Sequence, residues 1–443
     1  MRIQLGTETE EFLAALRQPA PVSIRVNPGK VAEAEALEVM GEVCRKVEWC
    51  RQGYYLNRRP VFTLDPCLHG GAYYVQEASS MFLEQVLRQV LPDAPVRMLD
   101  LCASPGGKST LSAAALPAGS LLVSNEYVRS RAMILKENII KWGQDNVVVT
   151  NNAPADFAAL GSVFDVILVD APCSGEGMFR KDTDAIGEWS EQNVRMCGER
   201  QRQILADVWD CLVPGGVLIY STCTYGRWEN EEVLEWLAEE YGGESIVIDH
   251  SFPGVTEGDS PVHGYRFYPH RTEGEGFFIG AVRKTDGNRP LSRKGKRRKL
   301  GQGLVLPSEM RTYVREPERY AVYRTAEAWG VVPVEHAEWM EGADRHLNIL
   351  YKGCEVAEAD SRKLKLMPSL ALWQGLDRMH CALYEADRAT ALAFLKKEDV
   401  PVPGTAGDWL LMTYGGISLG WCKNLGNRLN NYYPKEWRIR MQI

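Results

Sequence analysis

Two cysteines follow short apolar runs in the middle of the chain. ILVDAPCSGEGMFRKD places Asp170, Pro172 and Cys173 directly after strand-forming residues, and IYSTCTYGRWENE delivers Cys223 between Thr222 and Thr224 in the same manner. A lone cysteine in such a setting reads as a small buried hydrophobe. Two at the ends of two strands read as chemistry, because a thiolate is an intrinsically strong nucleophile. A third segment, LDLCASPGGKST from Leu99 to Thr110, sets Gly106 and Gly107 at a strand-to-helix turn. Exposed amides at a helix start suit a carboxylate or phosphate, and glycines let the ligand come close. The segment is not a P-loop, since the required first glycine is Cys102, and it lacks G-x-G-x-x-G. ATP and NAD therefore fit poorly. A small ligand over the turn, its ribose held by Glu126 at the end of the next strand, suits S-adenosylmethionine. Glu126 also reads as an acid at a helix start, and Lys108 as a solvated helix-start lysine.

The elements that must position these groups form a repeating pattern. VRMLDL, SLLVSNE, VVVT, FDVILVD and GVLIYST are short, nearly continuous apolar runs separated by helical stretches. Helices are expected near Lys108, from about Arg129 to Lys141, and in a long segment whose Ile204, Leu205, Val208, Trp209 and Leu212 share one face. Such alternation predicts a doubly wound α/β domain with a parallel sheet, whose ligands bind at the carboxyl ends of the strands. GFFIGAVR predicts a last strand.

The flanks differ from this core. An amphipathic opening with Phe12, Leu13 and Leu16 on one face leads into the extended PVSIRVNPGK. Between Arg283 and Lys299, nine Lys or Arg and one Asp are interspersed with Gly, Ser and Pro, which reads as a solvated linker able to meet phosphate. The division expected is an N-terminal domain 1–91 of unclear fold, a core 92–284, a basic linker 285–303, a connecting domain 304–375 and an RNA-facing end 376–443. That end interleaves Lys423, Arg428, Lys435, Arg438 and Arg440 with Trp421, Tyr432, Tyr433 and Trp437, a composition suited to base stacking. Shortening the chain at about residue 300 is expected to spare cofactor binding and weaken RNA affinity.

With 443 residues, 45% hydrophobic and 25% charged, the chain is long and apolar enough for a large core. Its net charge of -7 excludes a uniformly basic coat but not local basic surfaces. Eleven cysteines without paired spacing predict free thiols in a reducing compartment, with neither a disulfide framework nor a zinc site. No apolar run has the length of a signal peptide core or a membrane span. A cytoplasmic, metal-free protein is expected, and nothing demands more than a monomer.

The motifs CASPGGKS, DAPCSGEG and YSTCTY followed by ENE resemble the Sun-type family of RNA cytosine-C5 methyltransferases. Within it, the chain is similar to the bacterial RsmF-like ribosomal RNA enzymes. SIRVNP, GGAYYVQEASSM and PHRTEGEGFF match family segments in order, so the likeness spans roughly residues 20 to 284, and NNYYPKEWR resembles the PUA-like module that closes the subgroup. The implied fold is a Rossmann-like methyltransferase core with a small N-terminal domain, to which the resemblance assigns RNA binding, and a C-terminal PUA-like region. The implied partner is ribosomal RNA or the small ribosomal subunit.

The resemblance also assigns roles. It makes Cys223 the nucleophile toward cytosine carbon 6 and Cys173 the group that assists product release. Asp170 would hydrogen-bond the flipped base and lie near the methionine end of the cofactor, and Lys108 would orient cofactor or base. Cofactor contacts carry over to Cys102, Ala103, Ser104, Pro105, Gly106, Gly107, Lys108 and Glu126. Near the adenine the family usually has Asp, where this chain has Asn152, so a charge is lost and hydrogen bonding remains. Three alternatives stay open: Cys173 as the nucleophile, as in DNA cytosine methyltransferases; another RNA, such as tRNA; or an inactive core serving as a ribosome-assembly scaffold.

Overall fold

Residues 2–32, 44–181, 184–285, 304–361, 363–402 and 408–441 are described by a computed structural model. Apart from Thr285, the expected basic linker lies outside the described residues. Strands β1 (Val22–Val26), β2 (Cys44–Lys46), β3 (Gly53–Leu56) and β4 (Tyr73–Val75) make an antiparallel N-terminal sheet in the order β2-β3-β1-β4.

The core strands are β5 (Arg97–Asp100), β6 (Leu121–Asn125), β7 (Val147–Thr150), β8 (Phe164–Asp170) and β9 (Leu212–Thr222). They lie parallel in the order β9-β8-β5-β6-β7. Their Val, Ile and Leu are buried on both faces, which is why the runs read as continuous rather than alternating. Strand order reverses at β5, so the crevice for a ligand opens beyond the carboxyl ends of β5, β6 and β8. Three antiparallel strands, β11 (Val255–Glu257), β12 (Gly264–Phe267) and β13 (Phe277–Lys284), extend the sheet past β9, and β10 (Gly243–Ser245) pairs β13.

Leu212 departs from its expected place. The long helix runs Glu191–Trp209 with Ile204, Leu205, Val208 and Trp209 buried, and Leu212 opens β9 instead, after a turn in which the Cys211 N–H bonds to the Val208 carbonyl. The helix Arg129–Trp142 ends at Gly143, whose φ of 85° and N–H bond to the Ile139 carbonyl form a left-handed cap. A Cβ there would come within 2.2 Å of the Leu372 carbonyl oxygen, so the stop also admits the C-terminal half of the chain.

That half is joined to the core rather than tethered to it. Strands β14 (Tyr320–Arg324), β15 (Ala328–Pro333) and β17 (Cys354–Glu358) form a small sheet, but β16 (Ile349–Lys352) pairs antiparallel with β7 and becomes the outer strand of the core sheet. Ala343 and Leu347 pack into the same apolar cluster as Leu99 and Ile167. A mixed sheet of β18 (Ala382–Glu385), β19 (Trp409–Tyr414), β20 (Ile417–Asn424) and β21 (Leu429–Asn431), with the helix Arg388–Leu395, forms the C-terminal domain, where a PUA-like module is expected. It leans on the N-terminal domain: Ile417 packs with Ile24 and Phe62, and Tyr433 Oη lies 3.3 Å from His69 Nδ1.

The aromatic residues of the tail are divided by this packing. Trp421 and Tyr433 are buried in the C-terminal domain and Tyr432 and Trp437 half-buried, so the first two build the core and cannot stack on bases. Arg428, Lys435 and Arg440 remain exposed. At the other end of the chain Phe12 is buried against Tyr225 and Tyr268, a burial that contributes about 2 kcal/mol. Among the described residues no helix is long and apolar enough to cross a membrane, and the cysteines whose state is described are free thiols.

Candidate active site

The cofactor-type loop is built where β5 stops. Asp100 ends the strand, Gly106 takes a φ of 114° that a side chain would resist, and the helix Gly107–Ala115 starts immediately after. Ser109 Oγ donates to Asp100 Oδ2 at 2.6 Å, binding the helix back to its strand. The buried Arg25 of SIRVNP supports the same helix from the N-terminal domain. Its Nη2 donates to Thr110 Oγ1 at 2.5 Å and to the Gly107 carbonyl at 3.2 Å, while Nε donates to Gln76 Oε1 at 2.9 Å.

A cavity of about 160 Å³ opens above this turn. Cys102, Ala103, Ser104, Pro105, Gly107 and Lys108 line it with Asp100 and Asp170, and Tyr74 to Glu77 close it from the N-terminal domain. Gly106 is buried beneath. Glu126 and Asn152 stand outside the lining. Glu126 Oε1 accepts the Val128 N–H at 2.9 Å at the head of the next helix, and its Oε2 lies 3.4 Å from Arg131. Asn152 Oδ1 accepts the Asn348 N–H at 2.9 Å and its Nδ2 donates to Asp156 Oδ2 at 3.2 Å, so this amide joins the core to the residues leading into β16.

Beyond β8 and β9 the two cysteines meet. Cys173 Sγ lies 3.2 Å from Cys223 Sγ, close enough to share a proton. Beside them Lys108 Nζ lies 2.9 Å from Asp170 Oδ2, and Ser221 Oγ donates to Asp170 Oδ1 at 2.8 Å. Burial disfavours the Lys108 cation, but the Asp170 charge and hydrogen bond outweigh it and hold the ammonium above its ordinary pKa. The hydrogen bond from Cys173 draws the Cys223 thiol below its usual range, with Lys108 assisting against burial and the Asp170 charge. The same bond, with burial, pushes Cys173 well up. The two shifts run in opposite directions, Cys223 toward the thiolate and Cys173 toward the thiol. Cys102 is pushed far up by burial and is no rival nucleophile.

Two residues here escape sequence reasoning by residue type. Asp100 is fully buried, its Oδ1 has no hydrogen-bond partner among the described residues, and burial raises its carboxyl to about 7. The available signal was an acid closing an apolar run immediately before the glycine turn. Arg25 had none, because its partners lie 51 to 85 positions away.

S-adenosylmethionine fits these residues. The orphaned Asp100 Oδ1 lies in a side chain that lines the cavity, and it offers a carboxylate to the cofactor's cationic amino group.

Comparison with known proteins agrees with this geometry. A family model described as 16S rRNA methyltransferase RsmB/F matches residues 88–283, the N-terminal domain of 16S rRNA methyltransferase RsmF matches 1–78, and the RsmF PUA domain matches 381–439. Ribosomal RNA small subunit methyltransferase F of Enterobacter sp. (strain 638) is 33% identical, over 96% of this chain and 92% of that one. The protein of the same description from Klebsiella pneumoniae (strain 342) is 32% identical over the same shares. Among solved structures, a methyltransferase homolog protein from Pyrococcus horikoshii is 28% identical with a TM-score of 0.54, covering 64% of this chain and 92% of that one. NSun6 from Pyrococcus horikoshii with SFG shares the fold at a TM-score of 0.56 and 20% identity, covering 65% of this chain and 97% of that one. A cofactor cavity at the sheet's switch point, three domain matches in order and relatives aligned along nearly the whole length lead to one assignment: the chain belongs to the ribosomal RNA small subunit methyltransferase F family of S-adenosylmethionine-dependent methyltransferases.

Proposed function

We propose that the enzyme methylates carbon 5 of a cytosine in 16S ribosomal RNA through a covalent adduct on Cys223, with Cys173 assisting product release. The observation that carries this reading is the 3.2 Å separation of the two sulfurs beside Lys108 and Asp170, at the open edge of the cofactor cavity. Carbon 5 of cytosine is too weak a nucleophile to take a methyl group unaided. The Cys223 thiolate adds its electron pair to carbon 6, and the carbon 5–carbon 6 π pair becomes available at carbon 5 as an enamine. Bound S-adenosylmethionine supplies the electrophilic methyl group. After transfer, a water at the site takes the carbon 5 proton, the C–H electron pair forms the carbon 5–carbon 6 double bond, the sulfur–carbon 6 bond breaks, and Cys223 leaves as thiolate. Cys173, the thiol that holds a proton against Cys223, stands where it can assist that departure directly or through water.

Asp170 supports the base. Its side chain is about one-third exposed, held in place by Lys108 and Ser221, and each carboxylate oxygen has a further lone pair for a cytosine N–H. Presenting the base requires unstacking it, which costs a few kcal/mol that contacts from the flanking domains must offset. The exposed Arg428, Lys435 and Arg440 of the PUA domain are suited to phosphate. The 16S substrate follows the descriptions of the matching family models.

The test is labelled methyl transfer to protein-free 16S RNA, small subunits and tRNA, with denaturing gels for covalent complex. Cys223→Ala should abolish both transfer and complex, and Cys173→Ala should accumulate complex. Complex with Cys223→Ala but none with Cys173→Ala would exchange the two roles. Transfer to tRNA alone would overturn the ribosomal substrate, and absence of both cofactor binding and transfer would leave a scaffold.

A further inference from the structure

Both cysteines sit on irregular backbone just past their strands, where no sheet ladder holds them. One backbone bond, from the Gly177 N–H to the Cys223 carbonyl at 2.8 Å, ties the two segments, and side chains do the rest of the work of setting the distance between the sulfurs. The turn Arg227–Glu229 and the residue that follows it supply a side chain to the flanks of each cysteine, helped by Gln201 of the long helix and by Glu176, whose Oε2 accepts Thr224 Oγ1–H and the Tyr225 N–H at 2.7 Å.

Glu229 is fully buried, and it grips the residue after Cys173. Its Oε1 accepts the Ser174 N–H at 2.8 Å and its Oε2 accepts Ser174 Oγ–H at 2.6 Å. Gln201 Nε2 donates to the same Oε1 at 3.2 Å and to the Pro172 carbonyl at 2.9 Å, so both neighbours of Cys173 are held. Asn230, also fully buried, does the same for Cys223. Its Oδ1 accepts Thr222 Oγ1–H at 2.5 Å and its Nδ2 donates to the Thr224 carbonyl at 3.1 Å. Tyr220 Oη anchors the turn itself through the Glu229 carbonyl at 2.6 Å. Ser174 Oγ and Thr224 Oγ1 lie 3.1 Å apart, where the two clamps touch, with the Thr224 proton given to Glu176 Oε2.

Among the described residues no cation pairs with Glu229, whose partners Ser174 and Gln201 are neutral donors. A buried carboxylate held by neutral groups is costly to desolvate, and its hydrogen bonds are correspondingly directional. We propose that Glu229 and Asn230 are the positioning residues of the two thiols, Glu229 setting Cys173 for release and Asn230 setting Cys223 for attack. The proposal rests on the reading that Cys223 attacks and Cys173 serves release. Adjacent in sequence, the two residues act on different steps of one reaction, because each holds the flanks of a different cysteine.

The full-length protein with 16S RNA as probe, followed through a single turnover, separates the steps: denaturing gels give adduct formation and decay, and a thermal melt reports folding. Glu229→Gln keeps volume and one acceptor oxygen. It should form adduct at the parental rate and release it roughly tenfold more slowly, within the hundredfold that a small misplacement of a reacting group can cost. Asn230→Ala should form adduct roughly tenfold more slowly and release it normally. If either variant fails to fold, Ser174→Ala and Thr222→Val remove one hydroxyl from each clamp and should give the same directions at a few-fold. The proposal is overturned if formation and decay change in parallel, if neither changes, or if the effects of the two clamps are exchanged. Should Cys173→Ala fail to trap adduct in the otherwise unchanged protein, the underlying reading falls; should it trap while Glu229→Gln releases normally, only the positioning role falls.

Discussion

Lys108 Nζ, at the head of the cofactor helix, lies 2.9 Å from Asp170 Oδ2 at the end of β8 and 5.1 Å from the centre of the Phe277 ring. The pair bridges the cofactor cavity and the thiols, so the cation acts on both. Removing it should raise the Cys223 pKa, since an opposite charge nearby favours the thiolate. For Lys108→Met, the acid limb of the pH profile for adduct formation should move up by about one pH unit, with Lys108→Arg moving it less. An unmoved limb would show that Lys108 only orients ligands.

Arg25 couples the N-terminal domain to the cofactor helix. Arg25 is 2% exposed and its guanidinium lies 4.5 Å from the Trp142 ring centre, so Arg25→Met would leave Gln76 Oε1 without its donor and remove one of the bonds to the Gly107 carbonyl, which also accepts from Thr110 Oγ1. A loss of about 3 kcal/mol is expected, read as a lower urea midpoint, together with weaker cofactor binding. Equal midpoints would mean that water replaces the guanidinium.

Asp100 should make cofactor binding pH-dependent. Burial raises its carboxyl from 3.8 to about 7. The folded protein then keeps a proton that the unfolded chain gives up between those values, so this group's contribution to stability falls as pH rises through that window. Binding of a cationic amino group runs the other way, rising as the carboxylate forms near pH 7. Calorimetric titration of S-adenosylmethionine between pH 5.5 and 8.5 should show that rise, and Asp100→Asn should flatten it while lowering affinity. A flat profile in the unaltered enzyme would remove Asp100 from the cofactor's contacts.

A cut at about residue 300 should not leave a sound core. It removes β16 and with it the bond from Asn348 to Asn152, and it bares the edge of β7 and the apolar surface covered by Ala343 and Leu347. Exposed strand edges and apolar patches lead to aggregation. The fragment should melt well below the full chain or precipitate, contrary to the sequence-based expectation. A soluble fragment binding cofactor with the affinity of the full chain would refute the joinery described here.

The parallel core was legible in MLDL, LLVSN, VVVT and FDVILVD because strands buried on both faces leave an unbroken apolar record over a few neighbouring residues. The cofactor turn and the two cysteines were legible for a related reason: each follows such a run within a few positions, and the end of a strand in this fold is where ligands sit. What escaped depends on long separations. Arg25 reaches Thr110, β16 pairs with β7, and the tail's Trp421 and Tyr433 turn inward, none of which leaves a local pattern. The tail shows the limit plainly, since a half-apolar aromatic side chain serves a core and a base stack equally well until packing chooses. Residue types and order supplied the two thiols and the strands that carry them. Only the folded chain brings the sulfurs to 3.2 Å, because they stand 50 positions apart, just past the ends of neighbouring strands.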